Sequence, residues 1–142
     1  AELGLEPSAE FARFKTIYIG VAGESDVATA DIARRASTFA RTHSGSVRTT
    51  PIVPARRTRR WAICTGAGAS TDTLNEARER GVDTLIVGEG PHHSAVDADE
   101  SGIAVIYAGH YATETLGVRA IAAHVADRFG VQWSFIEAPT GL

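Results

Sequence analysis

A chain of 142 residues is long enough for one domain with a real core, and 44% hydrophobic with 22% charged residues is a globular rather than a disordered composition. The formal net charge of −3 argues against a general nucleic-acid binder, so no DNA partner is expected. A single cysteine, Cys64, excludes an internal disulfide and a cysteine-based zinc cage, and no apolar run approaches the ~20 residues that span a bilayer.

Residues 1–14 carry Leu3, Leu5, Phe11 and Phe14, which can pack, while Pro7 breaks any long helix. Lys15 to Gly23 reads as a strand bounded by glycines. Ser25 or Asp26 is the expected N-cap of a helix whose Ala28, Ile32, Ala36, Phe39 and Ala40 recur at helical spacing and which should end between His43 and Gly45. Ser46 to Pro54 holds two prolines, so any strand there is an edge strand. Arg56 to Arg60 is the most basic run. It reads as a phosphate site or as a solvated linker, and the negative overall charge favours the linker.

From Arg60 the pattern becomes regular. Trp61 to Gly66 is a buried strand, Gly66 to Ser70 a tight glycine loop, and Thr71 to Arg80 a helix stopped by Gly81. Asp83 to Gly88 is a second strand, followed by the loop Glu89 to His93. Ser94 to Glu100 is a helix with Ser94 and Asp97 spaced as a capping box. Ile103 to Ala108 is a third strand. Gly109 breaks it, and a helix follows with Val118, Ile121, Ala122, Val125 and Phe129 on one face, ended by Gly130. Trp133, Phe135 and Ile136 suggest a final short strand. This alternation argues for an α/β fold, a mainly parallel sheet with helices on both faces.

Ligands of such sheets bind outside the carboxyl ends of the strands. Gly66, Gly88, Gly90, His92, His93, His110 and Glu114 are therefore expected to line one cleft. His110 and Glu114 are four residues apart, on one face of a first helical turn, and read as a metal site. The same pair also reads as a histidine at a strand end and a glutamate favouring the positive helix terminus. Gly66, Gly68 and Ser70 could cradle an anion or form a plain turn. The loop is no dinucleotide fingerprint, lacking the third glycine and any P-loop lysine. His43 and His124 fall on helical segments and are expected at the surface, and Cys64 in the core. No nucleophile–base pair has convincing spacing.

The blocks Arg60-Trp61-Ala62-Ile63-Cys64-Thr65-Gly66-Ala67-Gly68-Ala69-Ser70, then Gly88-Glu89 with His92-His93, Ala95 and Asp97-Ala98, then Ala108-Gly109-His110-Tyr111-Ala112-Thr113-Glu114, resemble the C-terminal half of the Nif-three-like dinuclear-metal-centre proteins, the GTP cyclohydrolase type-two homologues. The resemblance implies half of a two-lobed fold. Residues 1–59 would be a linking strand, helix and edge strand, and residues 60–142 the metal-site half, together one compact unit. It implies that His110 and Glu114 are ligands in a site for two divalent ions (zinc, manganese or iron). The remaining ligands, a His-His pair and an aspartate, would come from an N-terminal half that this chain lacks, and His92-His93 is not that pair. Two ligands do not hold two ions, so weak metal binding is expected of this chain alone. Glu89 or His93 would act nearby as acid–base or substrate contact.

The activity implied is metal-dependent hydrolysis of a small-molecule or nucleotide substrate, with GTP weakly supported. Two alternatives stand: a non-catalytic metal-binding or regulatory assembly protein, and a metal-free nucleotide-binding module built on the Gly66 loop. The resemblance also implies a homo-oligomer, a hexameric toroid. A missing lobe would leave Leu3, Leu5, Phe11, Phe14, Ile52 and Val53 as an exposed apolar patch. No signal-peptide pattern opens the sequence, and a cytoplasmic, non-membrane location is expected. The absence of methionine fits a processed product, an excised domain or part of something longer.

Overall fold

The computed structural model describes residues 2–140. Six strands and four helices follow in the order β1 (Ala9–Phe14), β2 (Ile17–Ala28), α1 (Thr29–Thr42), β3 (Arg48–Thr49), β4 (Arg57–Cys64), α2 (Thr71–Glu79), β5 (Thr84–Val87), α3 (His92–Glu100), β6 (Ala104–Tyr107) and α4 (His110–Phe129). They build one sheet in the order β1-β2-β4-β5-β6-β3. The parallel part is β4-β5-β6. The hairpin β1-β2 joins β4 antiparallel, and β3 joins β6 antiparallel. The expected α/β architecture is present, with its parallel pairings confined to the regular second half and antiparallel strands added at both edges.

The strands of that half lack alternation because both faces are covered. On one face Ala62, Cys64, Leu85, Val87 and Val105 pack under Leu74 and Ala77 of α2 and Ala98 of α3. On the other, Trp61, Ile86 and Ile106 pack under Ile32 and Ala36 of α1. All four residues of β5 are buried, as befits a central strand.

Several local expectations are corrected. β2 runs through Ser25 and Asp26 instead of yielding to a helix there. Ser25 donates to the Thr58 carbonyl, and Asp26 pairs with Arg57, so both N-cap candidates are used by the sheet. Arg57 to Arg60 begins β4 and is no linker. Asp83 accepts from the Arg59 and Arg60 amides. The strand β1 closes on β2 through the two-residue turn Lys15-Thr16, with Lys15 at φ 54°, the positive value that primed hairpin turns require. The α3 helix starts two residues early. Pro91 takes the N-cap, and Ser94 lies within the helix, donating back to the Pro91 carbonyl at 2.7 Å. His43 is buried, edge-on to Phe39 and 3.5 Å from Glu137, not a surface residue. Trp133 to Ile136 form no strand; this segment follows α4 irregularly, and Glu137 is tied back to Tyr111 at 2.9 Å. Of the residues expected in an exposed patch, Leu5 and Phe11 are buried, whereas Phe14 and Val53 are exposed.

Candidate metal-site edge

The three parallel strands end level. Cys64 pairs with Val87 and Val87 with Tyr107, so the loops after β4, β5 and β6 leave the sheet at one height. Backbone bonds stitch these loops together. The Glu89 amide donates to the Gly66 carbonyl at 2.8 Å, and the Gly109 amide to the Gly88 carbonyl at 2.9 Å. Thr113, buried in the first turn of α4, accepts from the Gly66 amide at 3.1 Å, and its hydroxyl lies 3.0 Å from the Gly109 carbonyl. Gly88 sits so close to Gly66 and Thr113 that a Cβ there would lie 2.5 Å from the Gly66 carbonyl oxygen. Thr113 was not singled out from sequence, although it lies inside the Gly109–Glu114 block.

This frame places Glu89, His110 and Glu114 together. His110 Nδ1 lies 2.8 Å from Glu89 Oε1, and Nε2 lies 3.3 Å from Glu114 Oε2. The hydrogen bond to Glu89 pushes the His110 pKa above its ordinary 6.5, burial pulls it down, and the Glu114 charge adds to the rise. Gly66, at φ 60°, faces the same pair. A Cβ there would fall 2.5 Å from Glu114 Oε1 and 3.3 Å from His110 Nε2. The glycine thus leaves a cradle directly in front of one imidazole nitrogen and one carboxylate.

His110 and Glu114 line a cleft of about 430 Å³ with Phe14, Ile19, Cys64 and Gly68. Burial pushes the Cys64 thiol pKa up, which keeps it protonated. Gly68 packs against the Cys64 carbonyl. Ser70 caps its own helix, accepting from the Thr73 amide at 3.1 Å, and Asp72 adds a negative charge to that turn. The Ser70 hydroxyl is thereby engaged within the chain.

His92 and His93 form the exposed first turn of α3. His92 lines a second cleft, of about 480 Å³, with Gly88, Glu89, Gly90, Tyr107 and Arg48. Glu89 lines this second cleft and touches His110, which lines the first. The single expected cleft is therefore not formed: Gly88, Gly90 and His92 line one opening, His110 and Glu114 the other, and Gly66 and His93 line neither. A larger, charged groove between β1 and α2 adjoins the first cleft, sharing Arg13 and Asp72 with it.

The donor set fits a divalent cation in kind, since imidazole nitrogen and carboxylate oxygen are ordinary ligands of zinc, manganese and iron. In number it is incomplete. Among the described residues no group of three or more His, Cys, Asp and Glu side chains is arranged to hold an ion.

Comparison with known proteins agrees with this architecture. A GTP cyclohydrolase 1 type 2 homolog from Halobacterium salinarum is 42% identical over 142 residues, covering 99% of this chain and 54% of the relative. A solved structure described as protein ybgI, of unknown function, superposes with a TM-score of 0.78 at 25% identity, covering 99% of this chain and 53% of that one. A Thermus thermophilus protein of known structure gives a TM-score of 0.68 at 27% identity, over 99% of this chain and 53% of the other. The chain thus spans about half the length of these relatives. The model of the Duf34/NIF3 (NGG1p interacting factor 3) family matches residues 1–140, and the chain belongs to that family.

Proposed function

We propose that this chain is the metal-site half of a dinuclear-metal-dependent, hydrolase-like protein. The observation that supports this best is the placement of His110 between two carboxylates. A neutral ring donating its Nδ1–H to Glu89 turns the Nε2 lone pair toward Glu114. Two lone-pair donors 3.3 Å apart repel unless a proton or a cation lies between them. Metal-binding histidines commonly donate their other N–H to a carboxylate, which fixes the tautomer and raises ligand basicity. Glu89 is placed for that role.

When bound, a pair of zinc, manganese or iron ions would supply an activated water and polarise a substrate oxygen. The chain's own residues do the rest. Glu89 orients His110 and can take up or return a proton at the His110 Nδ1 edge. The Phe14 and Ile19 side of the cleft turns apolar surface toward the pair. His110 and Glu114 supply two donors, and each ion usually needs at least three protein ligands, so the remaining donors come from outside these 142 residues. The curated relatives carry the name GTP cyclohydrolase 1 type 2 homolog, which supports including a nucleotide, alongside other small molecules, in the proposed substrate class. A homo-oligomer in the cytoplasm goes with this reading. Among the described residues no helix is long and apolar enough to cross a membrane.

Titration calorimetry with zinc and manganese tests the proposal. The 142-residue chain is expected to bind weakly, with the signal lost in His110→Ala. Zinc binding unchanged in that variant would overturn the assignment of the pair. A submicromolar two-ion site in this chain alone would overturn the incompleteness of the donor set.

A further inference from the structure

The second cleft has no part in the reading above beyond Glu89, which lines it and touches His110. Its walls are fixed. The short strand β3 is held to β6 by Thr50, a buried residue whose amide donates to the Val105 carbonyl at 3.0 Å and whose hydroxyl accepts from the Val105 amide at 2.9 Å. Two residues before Thr50, Arg48 lies directly opposite Tyr107. Directly opposed residues of an antiparallel pair project from the same face, so Arg48 and Tyr107 stand side by side. The Tyr107 ring is restrained at its tip by Ser94 Oγ, 3.0 Å from the phenol oxygen, and Ser94 is fully buried. The floor, from Gly88, Gly90 and Gly109, carries no side chains, and Pro91 closes one side.

Among the described residues the Arg48 side chain makes no hydrogen bond or ion pair, whereas Arg57, Arg60, Arg78 and Arg80 all do. The one carboxylate that lines the cleft, Glu89, is turned to His110. The cleft therefore offers an uncompensated guanidinium beside a rigid aromatic ring over a flat floor. At about 480 Å³ it has the size of a small-ligand pocket. A guanidinium suits phosphate or carboxylate, and a fixed phenol ring with a bare floor suits a flat unsaturated ring.

We propose that this cleft is a binding subsite for a small aromatic anion, its phosphate or carboxylate on Arg48 and its ring over Tyr107 and Pro91. The inference deepens the proposed function and rests on it for the use of such binding, because Glu89 lines this cleft and touches His110 of the His110–Glu114 pair. Binding itself requires no metal.

Calorimetry with chelator-treated protein tests it, using GMP, inorganic phosphate, guanosine and benzoate as probes. GMP is expected to bind at least tenfold more tightly than phosphate or guanosine. Arg48→Ala should weaken GMP at least tenfold, Arg48→Lys less, and Arg48→Glu should abolish binding. Arg48 is exposed, so these variants are expected to keep the parent circular dichroism. Benzoate distinguishes the anion: a carboxylate subsite binds benzoate more tightly than GMP, with the same dependence on Arg48. Phosphate binding as tightly as GMP would overturn the ring contact. Equal affinities for parent and Arg48→Ala, or no binding of any probe, would overturn the subsite. Loss of zinc binding in the untreated protein with GMP binding intact would count against the metal reading alone.

Discussion

His110 and Gly66 set the chemistry of this edge at the scale of single residues. The Glu89 contact raises the His110 pKa above 6.5 in the folded state. Its contribution to stability is therefore fully present below pH 6.5 and is lost as pH rises through the raised folded value. The ring is one-third exposed, at 34%, so solvent screening keeps that contribution small. The proposed metal binding would run the opposite way, strengthening as His110 loses its proton. In Glu89→Gln the His110 pKa should fall toward 6.5, read from its ring-proton shifts in an NMR titration. An unchanged titration would show that Glu89 does not hold the ring. Gly66 combines a positive φ with a cradle that a methyl group would fill. Gly66→Ala should cost about 1–3 kcal/mol in denaturant unfolding, the range for a non-glycine residue held in a sparsely populated backbone region. It should also weaken zinc binding by displacing the Glu114 carboxylate. A variant as stable as the parent would refute the close approach.

Between elements, a ladder of buried hydroxyls joins the two halves of the chain. Thr29 at the start of α1 lies 3.0 Å from Thr58 in β4, which lies 2.8 Å from Thr84 in β5. All three are fully buried; Thr84 also donates to Asp83 at 2.8 Å, whereas the Thr29 hydroxyl relies on Thr58. Thr58→Val keeps the shape but leaves Thr29 short of a partner. It should lower stability by about 1–3 kcal/mol, the cost of unsatisfied buried groups. A neutral result in urea unfolding would mean that the neighbours re-pair. The outer edge of β1 is shielded by side chains of α2. Glu76 accepts from the Arg13 amide at 3.0 Å, and Arg80 donates to the Glu10 carbonyl at 2.7 Å. That arrangement occupies backbone groups which would otherwise template another strand.

At the scale of the whole molecule, much of the exposed apolar surface among the described residues lies on α4 and the β1-β2 hairpin. Ile121 is 66% exposed and Phe129 71%, and Val118 and Val125 lie on the same helix. Ile17 and Ile19 are exposed on the hairpin. Contiguous exposed apolar faces of this kind mark association surfaces, most often self-complementary two-fold contacts. The chain is therefore expected to self-associate, and the double variant Ile121→Glu, Phe129→Glu to dissociate it. Light scattering across a tenfold dilution reads both. A monodisperse 15.0 kDa parent at high concentration would overturn the expectation.

Sequence alone determined the strand–loop–helix order from Arg60 to Glu114, because apolar runs broken by glycine are local signals. The fully buried β5 and the span of α2 read directly from their own residues, while the Ser70 cap of α2 appears only in the structure. The level loop ends followed as well, since parallel strands joined by short helices bring their carboxyl ends to one edge. Tertiary structure decided what depends on distant residues. Ser25 and Asp26 have the local chemistry of caps, but Thr58 and Arg57, about thirty residues away, hold them in a strand. His43 lies on a helical segment, and only the return of Glu137 and the approach of Thr115 bury it. The apolar stripe of α4 has the spacing of a core face, yet among the described residues it is left exposed. Glu89 and His110 are 21 positions apart, and Arg48 reaches Tyr107 only through the pairing of β3 with β6. Spacing along a helix can nominate His110 and Glu114, because both lie on one turn. The partners that orient them come from other strands, and only the register of the sheet selects those.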